Sequence, residues 1–338
     1  MLTSPVVRHQ ENWTLDHQAP PDWAPLVERL GAGFFHSPLG LRAGAPAGEP
    51  LFLRYHRDGE VVGIAAGVRT PCRLGGAFRH YYFPTWPAFA DDSLRDHGLA
   101  KLVTSFRAQG VAEVVWDSFD AARRGPFPKV PTRWEYLLDL TRIADSPTWP
   151  GSSGHRRSIR RGEKSGLLFR ELSGPEARAA LIAVLESAIE RHARRGVHHG
   201  GTIPPVVTDP VAPSAPWDTR TYAAFAGSDL LTAILVGRCG RRAYYLVGGA
   251  TESGYAMSAS TWLQAQVASR LSDGGFAEYN LGGASLHAPE PEDPDHGLHR
   301  FKVGFDAAVI PCAGDRWPLM PAHMRGHRLF SWAASLVP

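Results

Sequence analysis

Cysteine is scarce in this 338-residue chain. Cys72, Cys239 and Cys312 lie far apart with no CxxC pair, which suggests neither a disulfide framework nor a thiolate zinc site and fits a reducing compartment. Lysine is scarce too: of 36 Lys and Arg, four are Lys, at 101, 129, 164 and 302. No apolar run approaches the ~18 residues a membrane helix needs. The start, MLTSPVVRHQENW, has no charged opening followed by an apolar core, so no signal peptide is expected and a cytoplasmic location is. The GxSxG, HExxH, P-loop and GxGxxG signatures are missing, which removes support for hydrolase, metalloprotease, kinase and dehydrogenase readings.

What remains is a globular composition. Apolar residues make up 43% and charged residues 20%, and the length suits two domains with separate cores. The 28 Pro and 35 Gly, with 32 Arg among the cations, have the stamp of a GC-rich coding sequence, which makes each surviving Lys more informative. The net charge is only +3, but the cations cluster.

Residues 21–31 read as a short helix, with Pro near its start and Gly at its end. Residues 50–57 and 60–69 read as a hairpin around Asp58-Gly59. A helix over 92–109 and strands over 112–119 and 133–140 complete the first half. A linker rich in Pro, Gly and Ser spans 144–154, and a domain boundary is expected there. A basic helix (HRRSIRRGEKSG), a strand (LLFREL) and a helix over about 175–195 follow. In that helix Leu181, Val184, Leu185, Ala188 and Ile189 recur at helical spacing and predict a buried face. Five prolines exclude regular structure over 203–217. Strands are expected at 220–226, 229–238 and 242–249, a helix at 258–272, a strand at 276–281, a helix at 296–304 and a short strand near 307.

This order is that of the GNAT acyltransferase fold, and the first half repeats it more weakly. The expected class is mixed α+β, with two GNAT-like domains in tandem facing a central cleft. The first would comprise 1–147 plus about 311–338, and the second 148–310.

The stretch YNLGGASLHAPEPEDPDHGLHRFKVGF resembles the C-terminal signature of the Fem-type (FemABX) aminoacyl-tRNA-dependent aminoacyltransferases. Tyr279, Gly282, Gly283, Gly297, Leu298, Phe301, Lys302, Gly304 and Phe305 carry the match. The basic helix and the YYLVGGA stretch holding Tyr245 fit as well. Asn280 stands where the family often has Asp, and Asp306 and Ala307 replace small residues. No heptad-bearing arm for tRNA is present, so the chain is similar to the short branch. The resemblance covers about 145–310 well. It implies an aminoacyl-tRNA co-substrate, a small amine or peptide acceptor, the last residues folding back onto the first domain, and neither metal nor other cofactor. A monomer is expected.

The implied chemistry is attack of an amine on an activated ester through a tetrahedral oxyanion. Lys302 is the candidate to stabilise that oxyanion; without the motif around it, it would read as an exposed helix lysine. Phe301, Asn280, Gly282, Gly283, Tyr245, Arg194 and Arg195 are the candidate substrate-binding residues. The two glycines could serve substrate approach or a tight turn, and Asn280 could equally close a turn. Arg156, Arg157, Arg160, Arg161 and Lys164 form one helical face balanced only by Glu163, suited to tRNA or diphosphate phosphates or simply to solvent. His198 and His199 lack a third ligand at metal spacing. Acyl-CoA is the alternative donor. The closest approach to its Arg/Gln-x-x-Gly-x-Gly/Ala pyrophosphate motif, from Arg73, has the wrong spacing. A non-catalytic relic of the fold that binds RNA or a metabolite would keep the basic helix without needing Lys302.

Overall fold

Asp58 and Gly59 both take positive φ, 51° and 87°. That matches the right-handed twist of the strands they join and closes a two-residue hairpin. A computed structural model describes residues 9–45, 47–70, 79–120, 131–144, 149–194 and 215–320. The chain divides into two compact units, residues 1–41, 45–129 and 313–338, and residues 42–44 and 130–312.

The first unit runs β1 (Glu11–Asp16), α1 (Trp23–Arg29), α2 (Pro38–Gly44), β2 (Glu49–Arg57), β3 (Glu60–Thr70), β4 (Arg79–Phe83), β5 (Ala88–Phe89), α3 (Arg95–Ala108) and β6 (Val111–Trp116). A late strand, β14 (Asp315–Pro318), returns to pair antiparallel with β6. The sheet order is β1-β2-β3-β4-β6-β14, with β5 beside β3, and only β4 and β6 run parallel. Leu99, Leu102 and Phe106 of α3 are buried in a core that also holds Tyr55, Phe83 and Trp116. A helix linking two parallel strands must cover the sheet face it crosses, which explains the apolar spacing of α3.

The second unit repeats this plan around a longer meander. It contains β7 (Arg133–Asp139), α4 (Thr141–Ala144), α5 (Ser153–Lys164), β8 (Leu168–Leu172), α6 (Gly174–Arg194), β9 (Trp217–Ala226), β10 (Asp229–Cys239), β11 (Arg242–Ala250), α7 (Glu252–Ala256), α8 (Ala259–Asp273), β12 (Glu278–Ala284), α9 (His296–Val303) and β13 (Ala308–Cys312). The sheet order is β13-β7-β12-β11-β10-β9-β8. β11 and β12 form the parallel pair, bridged by α8, whose Trp262, Leu263, Val267 and Leu271 are buried against the sheet. Leu181, Val184 and Leu185 of α6 are buried on the other core cluster, while Ala188 and Ile189 are only partly covered.

The expected boundary at 147/148 is displaced. β7 lies between β12 and β13, antiparallel to both, so the strand read over 133–140 belongs to the second sheet and the division falls at 129/130. The Pro- and Gly-rich linker misled because it separates β7 from α5 within one unit. The architecture is mixed α+β with two sheets.

The pairing of β11 with β12 is short. It runs only from Arg242–Tyr244 to Glu278–Asn280. Beyond that, β12 changes register against β7 between Asn280 and Gly283, and Gly282 takes φ 76°. A β-branched or bulky residue would be strained in that region, whereas glycine adopts it freely.

Candidate active site

Past the end of this short pairing, the second unit holds a cavity of about 1040 Å³. One wall is β11, from Tyr245 to Ala250; others are the start of α5 (Ser152, Gly154, His155), the start of α8 (Ser258, Ser260, Thr261, Gln264) and α9 with its approach (Pro294 to Gly304). The cavity thus lies at the carboxyl end of a parallel strand pair and beside a helix start, a common ligand position in α/β sheets.

α9 is fixed to α5 by an imidazole. A carbonyl can only accept, so Nε2 of His155 donates to the Phe301 carbonyl at 2.9 Å, and Nδ1 is left to accept from Ser152 Oγ at 3.2 Å. Ser152 also caps α5 by accepting from the His155 amide at 3.2 Å. Burial holds the imidazole below its usual range. The ring meets Phe305 edge-on with centroids 4.5 Å apart. Phe301 lines the cavity and packs on Phe305.

Lys302 is buried, with 3% exposure. Its ammonium donates to the Gly283 carbonyl at 2.8 Å and lies 5.2 Å from the Tyr136 ring centroid. Burial, reinforced by the Arg133 charge, lowers its pKa to about 7, while Glu135 and Asp295 oppose the fall. Lys302 is not itself among the residues lining the cavity; Phe301, Val303 and Tyr245 are. Gly282 lies between Lys302 and the Tyr245 backbone. A Cβ there would lie 3.6 Å from Lys302 Nζ and 3.5 Å from the Tyr245 carbonyl, so its missing side chain leaves space next to the ammonium.

Glu135, unremarked in the sequence, is the hub behind this arrangement. It is 1% exposed and accepts from Arg133 at 3.2 Å and from Asn280 Nδ2 at 2.8 Å. Asn280 in turn accepts from the Gly282 amide at 2.8 Å. Both ends of the Asn280 amide are therefore engaged inside the protein, and at 4% exposure it braces the turn. Gly283 has its own reason to be glycine: a Cβ would fall 2.0 Å from the Arg133 guanidinium.

Other expected site residues scatter. Tyr245 lines the cavity, its hydroxyl pushed up to about 12 by burial. Arg194 does not line it; it is exposed and paired with Glu252 at 2.7 Å. Arg191, one turn earlier, does, donating to the Ala250 carbonyl at 3.0 Å with its guanidinium over the exposed Tyr255 ring. Arg195 lies outside the described residues. On α5, Arg156 bonds the Gly151 carbonyl and Arg161 donates to Ser258 Oγ at 3.0 Å, whereas Arg157, Arg160 and Lys164 are exposed. Glu135, His155, Asp295 and Arg191 were missed as site residues. A charged residue inside the apolar strand RWEYLLDL was the one available signal for Glu135.

Among the described residues, no group of three His, Cys, Asp or Glu is arranged to hold a metal, and no helix is long and apolar enough to cross a membrane.

Residues 152–302 match the family model described as an acetyltransferase (GNAT) domain. No curated protein matches the sequence significantly. Among solved structures, the chain is similar to FemX, at 11% identity and TM-score 0.63 over 89% of this chain and 97% of that one. It is also similar to L-PGS from Bacillus licheniformis, at 12% identity and TM-score 0.52 over 86% of this chain and 90% of that one. The C-terminal domain of a putative lysylphosphatidylglycerol synthetase from Agrobacterium fabrum matches at 15% identity and TM-score 0.50, over 75% of this chain and 80% of that domain. At such identities the likeness speaks for the fold alone. Residues 152–302 are thus similar to a GNAT acyltransferase domain, within a chain whose fold is similar to that of FemX.

Proposed function

We propose that the protein is an aminoacyltransferase, moving an aminoacyl group from aminoacyl-tRNA to the amine of a specialised metabolite or a peptidoglycan precursor. One observation carries the reading. The helix whose start walls the cavity, α5, is the helix whose exposed face bears Arg157, Arg160 and Lys164. These span about 10 Å at 1.5 Å per residue, a length suited to following a phosphate backbone from an acyl-binding cavity. The resemblance of residues 279–305 to the Fem-type signature supports the same donor.

In this reading the acceptor nitrogen attacks the ester carbonyl, the carbonyl oxygen becomes an oxyanion, the carbon–ribose-oxygen bond breaks, and the ribose hydroxyl leaves with a proton lost by the amine. Lys302 supplies a positive charge to the oxyanion through the gap at Gly282, with Phe301 and Tyr245 shaping the approach. A preorganised donor of this kind contributes roughly 3–4 kcal/mol.

An acyl-CoA donor is the second reading, favoured by the description of the family model. Against it stands the segment leading into α8, Thr251 to Ser258. Its one glycine, Gly254, is pressed against the Leu231 carbonyl, where a Cβ would fall 2.0 Å away, and Glu252 would repel a diphosphate.

The test offers the full chain RNA minihelices charged with labelled amino acids and, separately, acetyl-CoA, each with a panel of amines. RNase-sensitive transfer of label is the expected result; release of CoA with acetylation would overturn the reading. Replacing Arg157, Arg160 and Lys164 by Gln should raise KM for the charged minihelix and reduce the slope of log KM against log salt by about 2–3.

A further inference from the structure

The cavity wall is cationic or neutral except at one place. Among the described residues that line it, Arg191 and Arg300 are the basic side chains, burial holds His155 below its usual range, and Asp295 is the single carboxylate. Arg191 is occupied by the Ala250 carbonyl and the Tyr255 ring. Asp295 stands at the start of α9 yet makes no side-chain capping bond to that helix. Its Oδ2 accepts from the Ser285 amide at 3.0 Å, and its own amide donates to Asp293 Oδ1 at 2.8 Å, so the backbone and one carboxylate oxygen are fixed. Among the described residues, Oδ1 has no hydrogen bond and the side chain no salt bridge. A half-buried, anchored carboxylate with one oxygen open beside a cavity is prepared for a cation that the protein does not itself supply.

We propose that Asp295 receives the α-ammonium of the donor's aminoacyl group and so distinguishes aminoacyl from plain acyl donors. The inference rests on the donor reading given above. An aminoacyl ester differs from an acetyl or hydroxyacyl ester by that ammonium, and a cation entering a wall that already carries Arg191 and Arg300 is repelled unless a counter-charge meets it. The ammonium lies one carbon from the reacting carbonyl, so its partner must be close to the group that meets the oxyanion. Asp295 meets this by position: it lines the same cavity as Tyr245 and as Phe301, the residue before Lys302.

The test compares a minihelix charged with alanine against the same minihelix after deamination to the lactyl ester, with one amine acceptor. It is run at pH 6.5, below the ordinary range of an α-amino group. Wild-type protein should prefer alanyl over lactyl by about 10- to 100-fold in kcat/KM, the range expected for a charge-assisted contact. Asp295→Asn, whose side-chain oxygen can still accept from Ser285, should bring the ratio within about threefold while its near-ultraviolet circular dichroism stays that of wild type. A wild-type ratio near one overturns the assignment even if the variant fails to fold. So does an Asp295→Asn protein that keeps the preference or loses both donors equally. A wild-type protein that uses neither ester removes the donor reading itself, a separate result.

Discussion

The ammonium of Lys302 donates to the carbonyl of Gly283 at 2.8 Å, 19 residues earlier in the chain, and so ties α9 to the end of β12. Burying that charge is costly, which is why its pKa falls to about 7. Between about pH 7 and the ordinary lysine value of 10.5, the unfolded chain binds a proton that the folded protein does not. The contribution of this group to stability is therefore lowest below pH 7 and rises with pH through that window. Lys302→Met should raise stability by about 1–4 kcal/mol at pH 6, with the gain shrinking toward pH 10, while turnover falls at least ~100-fold. Denaturant titrations at the two pH values, with an activity assay, check both halves.

The same value bears on catalysis. If Lys302 acts as a cation, turnover must decline as it deprotonates, giving a descending limb near pH 7 on whatever rise the acceptor amine imposes. Lys302→Arg, whose guanidinium stays charged above pH 12, should lose that limb while retaining part of the activity. The measurement is kcat against pH for both proteins. A limb unmoved in the arginine variant would assign it elsewhere, and a rise through pH 7 that depends on Lys302 would make the neutral amine the active form.

The signature around Lys302 was legible because its spacing is local: Phe301, Lys302, Gly304 and Phe305 fall on one short helix and its exit. The α3 and α8 crossovers and the hairpin at Asp58-Gly59 were legible for the same reason, since periodicity and turn chemistry act within a few residues. What escaped needed pairing across the chain. Glu135 reaches Asn280 over 145 residues and His155 reaches Phe301 over 146, and no spacing rule connects such positions. The short strands β1, β4 and β14 are strands because their neighbours bury and bond them, not because of their own pattern. The domain boundary failed likewise: only sheet pairing reveals that β7 belongs with β12 and β13.

Glu135 offsets two cations, Arg133 and Lys302, in a setting with almost no solvent. Glu135→Gln keeps the shape and removes the charge. It should destabilise the protein by about 3 kcal/mol and, because Glu135 raises the pKa of Lys302, move the descending limb of the pH profile below 7. Melting curves and the kcat profile test the two effects separately. A limb that stays in place would show that the carboxylate serves packing and hydrogen bonding only.

Gly297 in α9 and Gly304 immediately after it should respond in opposite ways to the same substitution. At Gly297 a Cβ meets nothing within 4 Å, so Gly297→Ala should leave stability unchanged or raise it by about 0.4–1 kcal/mol through the unfolded state. At Gly304 a Cβ would fall 2.1 Å from Cε1 of His155, a ring fixed on one side by Ser152 and on the other by the Phe301 carbonyl. Gly304→Ala must displace the imidazole and release α9 from α5, at a cost of about 1–3 kcal/mol. Thermal denaturation of both variants decides the matter. If Gly304→Ala is tolerated but His155→Ala is not, α9 is held by the imidazole's hydrogen bond and the close packing at Gly304 is incidental; if both are tolerated, the link between the helices does not hold Lys302 in place.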